Sequence, residues 1–169
     1  MALPLRALTP AADSSATGVI LAIDYGKKRL GLALSDELRV TCRPSATWAR
    51  INRRRDLARL REFARENKVR LIVVGCPLHM DGTASEMSEE ARSFATRVRK
   101  ALGLPVEMMD ERLSSWEARA MVVAEATGKR ISRGTSAAAA PPRKPPVDDV
   151  AAAIILRDYL NLSQAEPRT

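Results

Sequence analysis

Gly18-Val19-Ile20-Leu21-Ala22-Ile23-Asp24-Tyr25-Gly26-Lys27-Lys28-Arg29-Leu30-Gly31-Leu32-Ala33-Leu34-Ser35 is the stretch on which the fold turns. Val19, Ile20, Leu21 and Ile23 form a nearly continuous apolar run, the pattern of a strand buried on both faces, so a strand is expected over 18–24. Tyr25-Gly26-Lys27-Lys28 has turn character, and Leu30 to Ser35 predicts a second short strand. A connection of four or five residues containing glycine is a hairpin, which makes the two strands antiparallel. Asp24 therefore closes a buried strand and opens a turn. On spacing alone it can be an Asx turn beside Gly26 or a ligand-holding acid at a strand end.

Outward from the hairpin, a third strand over Val40 to Arg43 continues the meander and stops before Pro44. Ile51 to Asn67 predicts a helix, because Leu57, Leu60 and Ala64 fall at i, i+3 and i+7 while arginines cover the other faces. Leu71 to Val74 is a second buried strand, ended by Gly75-Cys76-Pro77. Ser85 to Leu102 predicts another helix, with Met87, Ala91, Phe94, Val98 and Leu102 on one stripe and Gly103 as its C-cap. Val106 to Met109 is a further strand, followed at once by Asp110-Glu111-Arg112. Ser114-Ser115-Trp116-Glu117 is a capping box opening a helix that runs to about Glu125. Thr127 to Pro146 reads as a mobile basic loop, and Asp148 or Asp149 caps a last helix from Val150 to about Leu160.

That order predicts an α/β fold: a mixed five-stranded sheet, made of a three-strand antiparallel meander plus parallel strands, with helices on both faces. One domain is expected over 18–160, containing the loop 127–146, after a disordered leader (1–17) and before a flexible tail (161–169). A length of 169 residues suits that single domain. Hydrophobic residues at 46% and charged residues at 28% fit a globular, water-soluble protein. The formal net charge is +8, from 28 Lys and Arg against 20 Asp and Glu, which favours a polyanionic partner such as nucleic acid. Cys42 and Cys76 form no CxxC pair, so a reduced compartment is the simpler reading and structural zinc is disfavoured. No apolar run approaches the roughly 20 residues that span a bilayer. A cytoplasmic protein without membrane contact is expected.

Three acidic positions lie at predicted element ends: Asp24, the pair Asp110-Glu111, and the pair Asp148-Asp149. Carboxylates converging beyond strand ends repel unless a cation neutralises them, and hard oxygen sites suit Mg²⁺ or Mn²⁺. Two such ions about 4 Å apart can activate water and stabilise a leaving oxygen in phosphodiester hydrolysis. The bland alternatives are an exposed turn at Asp110-Glu111 and a plain N-cap at Asp148 or Asp149. Spacing alone leaves these open. Lys27, Lys28 and Arg29 are solvated turn charges or, if Asp24 holds metal, phosphate contacts. His79, the single histidine, lies in a predicted loop and suits a substrate or solvent contact rather than a triad. The arginines of the 51–67 helix read first as a solvated face and second as a diffuse nucleic-acid contact, and Trp48 and Trp116 first as packing residues and second as platforms for stacking bases.

Ile23-Asp24-Tyr25-Gly26-Lys27-Lys28-Arg29-Leu30-Gly31 resembles the opening signature of the YqgF/RuvX family. Val73-Val74-Gly75-Cys76-Pro77-Leu78-His79-Met80-Asp81-Gly82, Asp110-Glu111-Arg112-Leu113-Ser114-Ser115, and Val147-Asp148-Asp149-Val150-Ala151-Ala152 resemble its other three motifs, in order. The resemblance implies an RNase H-like fold related to Holliday-junction resolvases, and a nuclease that matures the 5′ end of 16S ribosomal RNA. It places the family's acids on Asp24, Glu111 and Asp148, with Asp149 as the alternative to Asp148, holding two Mg²⁺ or Mn²⁺ ions. Lys27, Lys28, Arg29, His79 and Arg112 are then the candidate nucleic-acid contacts. One departure is Ser136-Ala137-Ala138-Ala139-Ala140-Pro141-Pro142, where the family loop is commonly rich in Lys and Arg. The partner is pre-16S rRNA or branched DNA. A resolvase needs two facing sites and hence a homodimer, whereas RNA trimming can work as a monomer. Two further rivals are a phosphate-binding ATPase module, since Asp-x-Gly at a hairpin also occurs in the actin-like sugar-kinase fold, and an RNA-binding assembly factor that does not cut.

Overall fold

The computed structural model describes residues 17–76, 85–110 and 147–165, of which 147–149, 164 and 165 are described by backbone alone. Its elements are β1 (Val19–Tyr25), β2 (Arg29–Ser35), β3 (Cys42–Ala49), α1 (Arg53–Glu66), β4 (Val69–Cys76), α2 (Glu86–Leu102), β5 (Val106–Asp110) and α3 (Val147–Ala165). The strands form one mixed sheet in the order β3-β2-β1-β4-β5. The β1–β2 and β2–β3 pairs are antiparallel, while β1–β4 and β4–β5 are parallel. This is the expected meander with parallel strands added on its far side.

Each face of the sheet is covered, which is why the strands read as apolar runs without alternation. Leu21 and Ile23 of β1, Leu30, Leu32 and Leu34 of β2, and Ile72 and Val74 of β4 pack on one face. There they meet Leu60 and Ala64 of α1 and Phe94, Ala95 and Val98 of α2. On the other face Ile20, Ala22, Ala33, Leu71, Val73 and Met109 pack against Ala152, Ala153, Ile155, Leu156 and Leu160 of α3. Fully burying each Leu or Ile contributes roughly 1.5–3 kcal/mol. Small side chains at Ala22, Ala33, Ala152 and Ala153 let α3 approach closely, and the Cys42 thiol lies 3.5 Å from the Ala153 carbonyl. Both cysteines are buried and unbridged.

Helix ends follow the sequence signals. Asn52 caps α1 by accepting from the Arg55 amide, Ser85 caps α2 by accepting from the Ser88 amide, and Gly103 ends α2 in the left-handed region at φ 69°.

Two expectations require correction. The third strand is not Val40 to Arg43 but Cys42–Ala49, passing through Pro44. Pro44 is tolerated because β3 is an edge strand and its register slips there: Ala33 faces Pro44 while Leu32 faces Ala46. Val40 and Thr41 instead belong to a turn, their amides donating to Asp36 Oδ1 at 2.8 and 2.7 Å. The last helix begins at Val147, so Asp148 and Asp149 lie in its first turn and do not cap it. The predicted helix 114–125 and the loop 127–146 lie outside the described residues.

Tyr159 of α3 donates to Glu107 Oε2 of β5 at 2.8 Å. Burial, then the hydrogen bond to Glu107, pushes its phenol well above the ordinary value of 10.0. The folded protein thus keeps a proton that the unfolded chain releases above about pH 10, so this group's contribution to stability falls as pH rises past that point. Urea unfolding of Tyr159→Phe beside the wild type should therefore give a difference in stability that shrinks between pH 9 and 11.

Candidate active site

The parallel strands β1, β4 and β5 all point their carboxyl ends to one edge of the sheet, where β2 begins and α1 and α2 start. Ligands bind at that edge in sheets of this kind. Asp24 stands there on the central strand, half-buried, in register with Gly31 of β2. Alternation continues from Ile20 and Ala22, which pack on the α3 side, so Asp24 faces α3 as well. Gly31 puts no side chain beside the carboxylate on that face.

Asp110 ends β5 opposite Cys76 and is buried. Its alternation follows Val106 and Met108, which pack on the α1 and α2 side, so it turns away from the face that carries Asp24. The structure therefore separates Asp24 from Asp110. Asp148 and Asp149 lie on backbone in the first turn of α3, the helix that covers the Asp24 face. Glu111, Arg112, His79 and the side chains of Asp148 and Asp149 lie outside what is described. Among the described residues no cluster of three or more potential ligands could hold a metal ion.

The hairpin after Asp24 is tightly held. The Gly26 amide donates to the Arg29 carbonyl at 3.0 Å, and a β-carbon at Gly26 would lie 2.7 Å from that same oxygen, so only glycine fits. Lys27 pairs with Glu90 and Glu86 of α2 at 3.3 and 3.6 Å. The hydrogen bond to Glu90, then the charge of Glu86, raises its pKa above the usual 10.5. Lys28 and Arg29 are exposed, and Arg29 begins β2 on the same face as Gly31 and Asp24.

Arg50, which the sequence reading passed over, organises this turn. Its Nε donates to Asp56 Oδ2 at 3.2 Å and its Nη1 to the Gly26 carbonyl at 3.1 Å. Its guanidinium lies 4.9 Å from the centre of the Tyr25 ring, and its amide donates to the Lys28 carbonyl at 2.9 Å. Asp56 is buried and also accepts from the Ile51 amide at 3.1 Å. A signal was present: Asp56 precedes Leu60 by four and Ala64 by eight residues, placing an acid on the buried stripe of α1. An acid there requires a cationic partner. Asp56→Ala leaves Arg50 and the Ile51 amide without their acceptor and should cost about 2–4 kcal/mol in urea unfolding. Asp56→Asn, which keeps one acceptor oxygen, should cost less.

The sheet order and the helices on both faces, with an acid next to the end of the central strand, are those of an RNase H-like fold. The chain belongs to the RuvX family, whose model, described as Holliday junction resolvase, matches residues 18–162. A protein of Anaeromyxobacter dehalogenans named "Putative pre-16S rRNA nuclease" is 43% identical over 141 residues, covering 83% of this chain and 95% of its own. One of the same name from Synechococcus elongatus is 38% identical over 148 residues, covering 88% and 91%. Among solved structures, Thermus thermophilus RuvC in complex with a Holliday junction substrate shares the fold with a TM-score of 0.55. That match covers 89% of this chain and 99% of RuvC, at 18% identity. Among the described residues no helix is long and apolar enough to cross a membrane.

Proposed function

We propose that this protein is a metal-dependent endonuclease that processes the 5′ end of pre-16S rRNA in the cytoplasm. The observation that carries the reading is the placement of Asp24. It is the penultimate residue of the central strand and faces α3, whose first turn contains Asp148 and Asp149. Glu111 supplies the third acid. Asp110 is the weaker choice for that role, because it turns to the opposite face of the sheet. The relatives' names supply the RNA substrate.

Asp24, Glu111 and Asp148 (or Asp149 in its place) fit Mg²⁺ or Mn²⁺ by donor chemistry, since all are hard carboxylate oxygens. Held by these acids, such ions would supply activation of a water and stabilisation of the leaving oxygen. The chain's own contribution is positional. Gly26 and Arg50 hold the hairpin rigid, so that Asp24 keeps its place and Lys28 and Arg29 meet the phosphates. Arg112 and His79 are further contacts of the nucleic acid.

The test is cleavage of an extended 16S precursor RNA and of a four-way DNA junction in Mn²⁺, each with wild-type protein. Cutting of the RNA supports the reading. Cutting of the junction alone favours the second reading, a homodimeric resolvase, which the family's description and the RuvC fold support. Binding without cutting of either polymer overturns both.

A further inference from the structure

The first turn of α1 carries Arg53, Arg54 and Arg55 in succession, all exposed. Cations are disfavoured there, because the helix dipole puts partial positive charge at that end. The other arginines of α1 have evident local roles. Arg59 stacks 4.1 Å over the Trp48 ring, Arg61 donates to the Ala101 carbonyl, and Arg65 sits in the last turn, where the dipole welcomes a cation. Arg53, Arg54 and Arg55 make no side-chain hydrogen bond or ion pair among the described residues. The one acid of that turn, Asp56, is engaged by Arg50, whereas at the same edge α2 opens with Glu86 and Glu89 and no cation in its first turn. Three cations held against the local field, with no partner among the described residues, point to a partner of opposite charge outside them.

Their position says which partner. The Arg50 amide bonds the Lys28 carbonyl at 2.9 Å, Arg29 pairs with Ala49, and the Asn52 cap starts α1 directly afterwards. Lys28 and Arg29 therefore continue into Arg53, Arg54 and Arg55. The five exposed cations all lie at this one edge of the sheet, a basic ridge defined by the start of β2 and the start of α1. The Arg50–Asp56 pair, at 3.2 Å, ties the residue that follows β3 to the first turn of α1.

We infer that Arg53, Arg54 and Arg55 form a phosphate-backbone track for the nucleic acid flanking the cleavage point, an extension of the site that rests on the nuclease reading. The track reads charge and not sequence, so it serves as an affinity and register device.

The test compares Arg53→Gln/Arg54→Gln/Arg55→Gln with a control triple at the opposite end of the helices, Arg65→Gln/Arg99→Gln/Lys100→Gln, which removes the same net charge. Binding of a fluorescent RNA duplex with a single-stranded extension is followed by anisotropy between about 50 and 200 mM salt. The ridge triple should lose about 2–3 from the slope of log affinity against log salt and bind on the order of tenfold more weakly. Its KM should rise with kcat unchanged, and its melting temperature should not fall, because the lost charges opposed the dipole. The control should move the slope by less than about one. A ridge triple indistinguishable from the control overturns the track while wild-type cleavage leaves the nuclease reading standing. Wild-type protein that neither binds nor cuts the polymers overturns the nuclease reading, and the track with it.

Discussion

Asp24→Asn should lower the rate of cleavage by at least about 10³-fold while changing nucleic-acid affinity by no more than about threefold. The substitution is isosteric, so it keeps the shape of the strand end and removes one formal charge from it. A carboxylate that holds divalent ions contributes several kcal/mol to stabilising charge in the transition state, and about 4 kcal/mol corresponds to that loss. Affinity resides in cations that meet the phosphate backbone, and none is altered. The half-buried setting of Asp24, next to Gly31 and facing α3, also predicts that folding is nearly indifferent to the change. Single-turnover cleavage, anisotropy and a thermal melt on one preparation separate these three readouts. Unchanged cleavage would remove Asp24 from the chemistry. A melting temperature lowered by more than about 10 °C would instead make it a structural residue.

Much of the fold was legible because its signals are local. The hairpin around Gly26, the stripes of α1 and α2, and the C-cap at Gly103 each depend on a few neighbouring residues. The third strand was displaced because Pro44 reads as a stop, and only the edge position of β3 with its register slip makes it acceptable. The start of α3 was set too late because an Asp pair resembles a cap, when a carboxylate is equally stable inside a first turn. At the site, Asp24 was legible as an acid ending a buried strand. The face that Asp110 takes was not, because it depends on which helices pack on each side of β5, and those lie far along the chain. Arg50 was invisible for the same reason: its partners are a carbonyl in the hairpin, a ring in β1 and a carboxylate in α1.

Ala152→Leu should reduce cleavage about 100-fold while costing only about 1–3 kcal/mol of stability. Ala152 is fully buried between α3 and the sheet, where Ala22 and Ala33 also keep the gap narrow. A leucine cannot be accommodated in so tight a contact, and overpacking of this kind costs a few kcal/mol as the helix lifts. The stability loss stays moderate because Ile155, Leu156 and Leu160 still anchor the rest of α3. Activity is more sensitive because Asp148 stands one helical turn before Ala152, so the displacement is carried directly to it. Misplacing a reacting group by about 1 Å can cost on the order of 10²-fold. Leu156→Ala provides the contrast. It removes a fully buried side chain one turn further on and should cost about 3–5 kcal/mol, yet it creates a void and does not push the helix outward. At a temperature where both variants remain folded, Leu156→Ala should cut faster than Ala152→Leu despite being less stable. The opposite order would mean that the first turn of α3 contributes no group to the reaction.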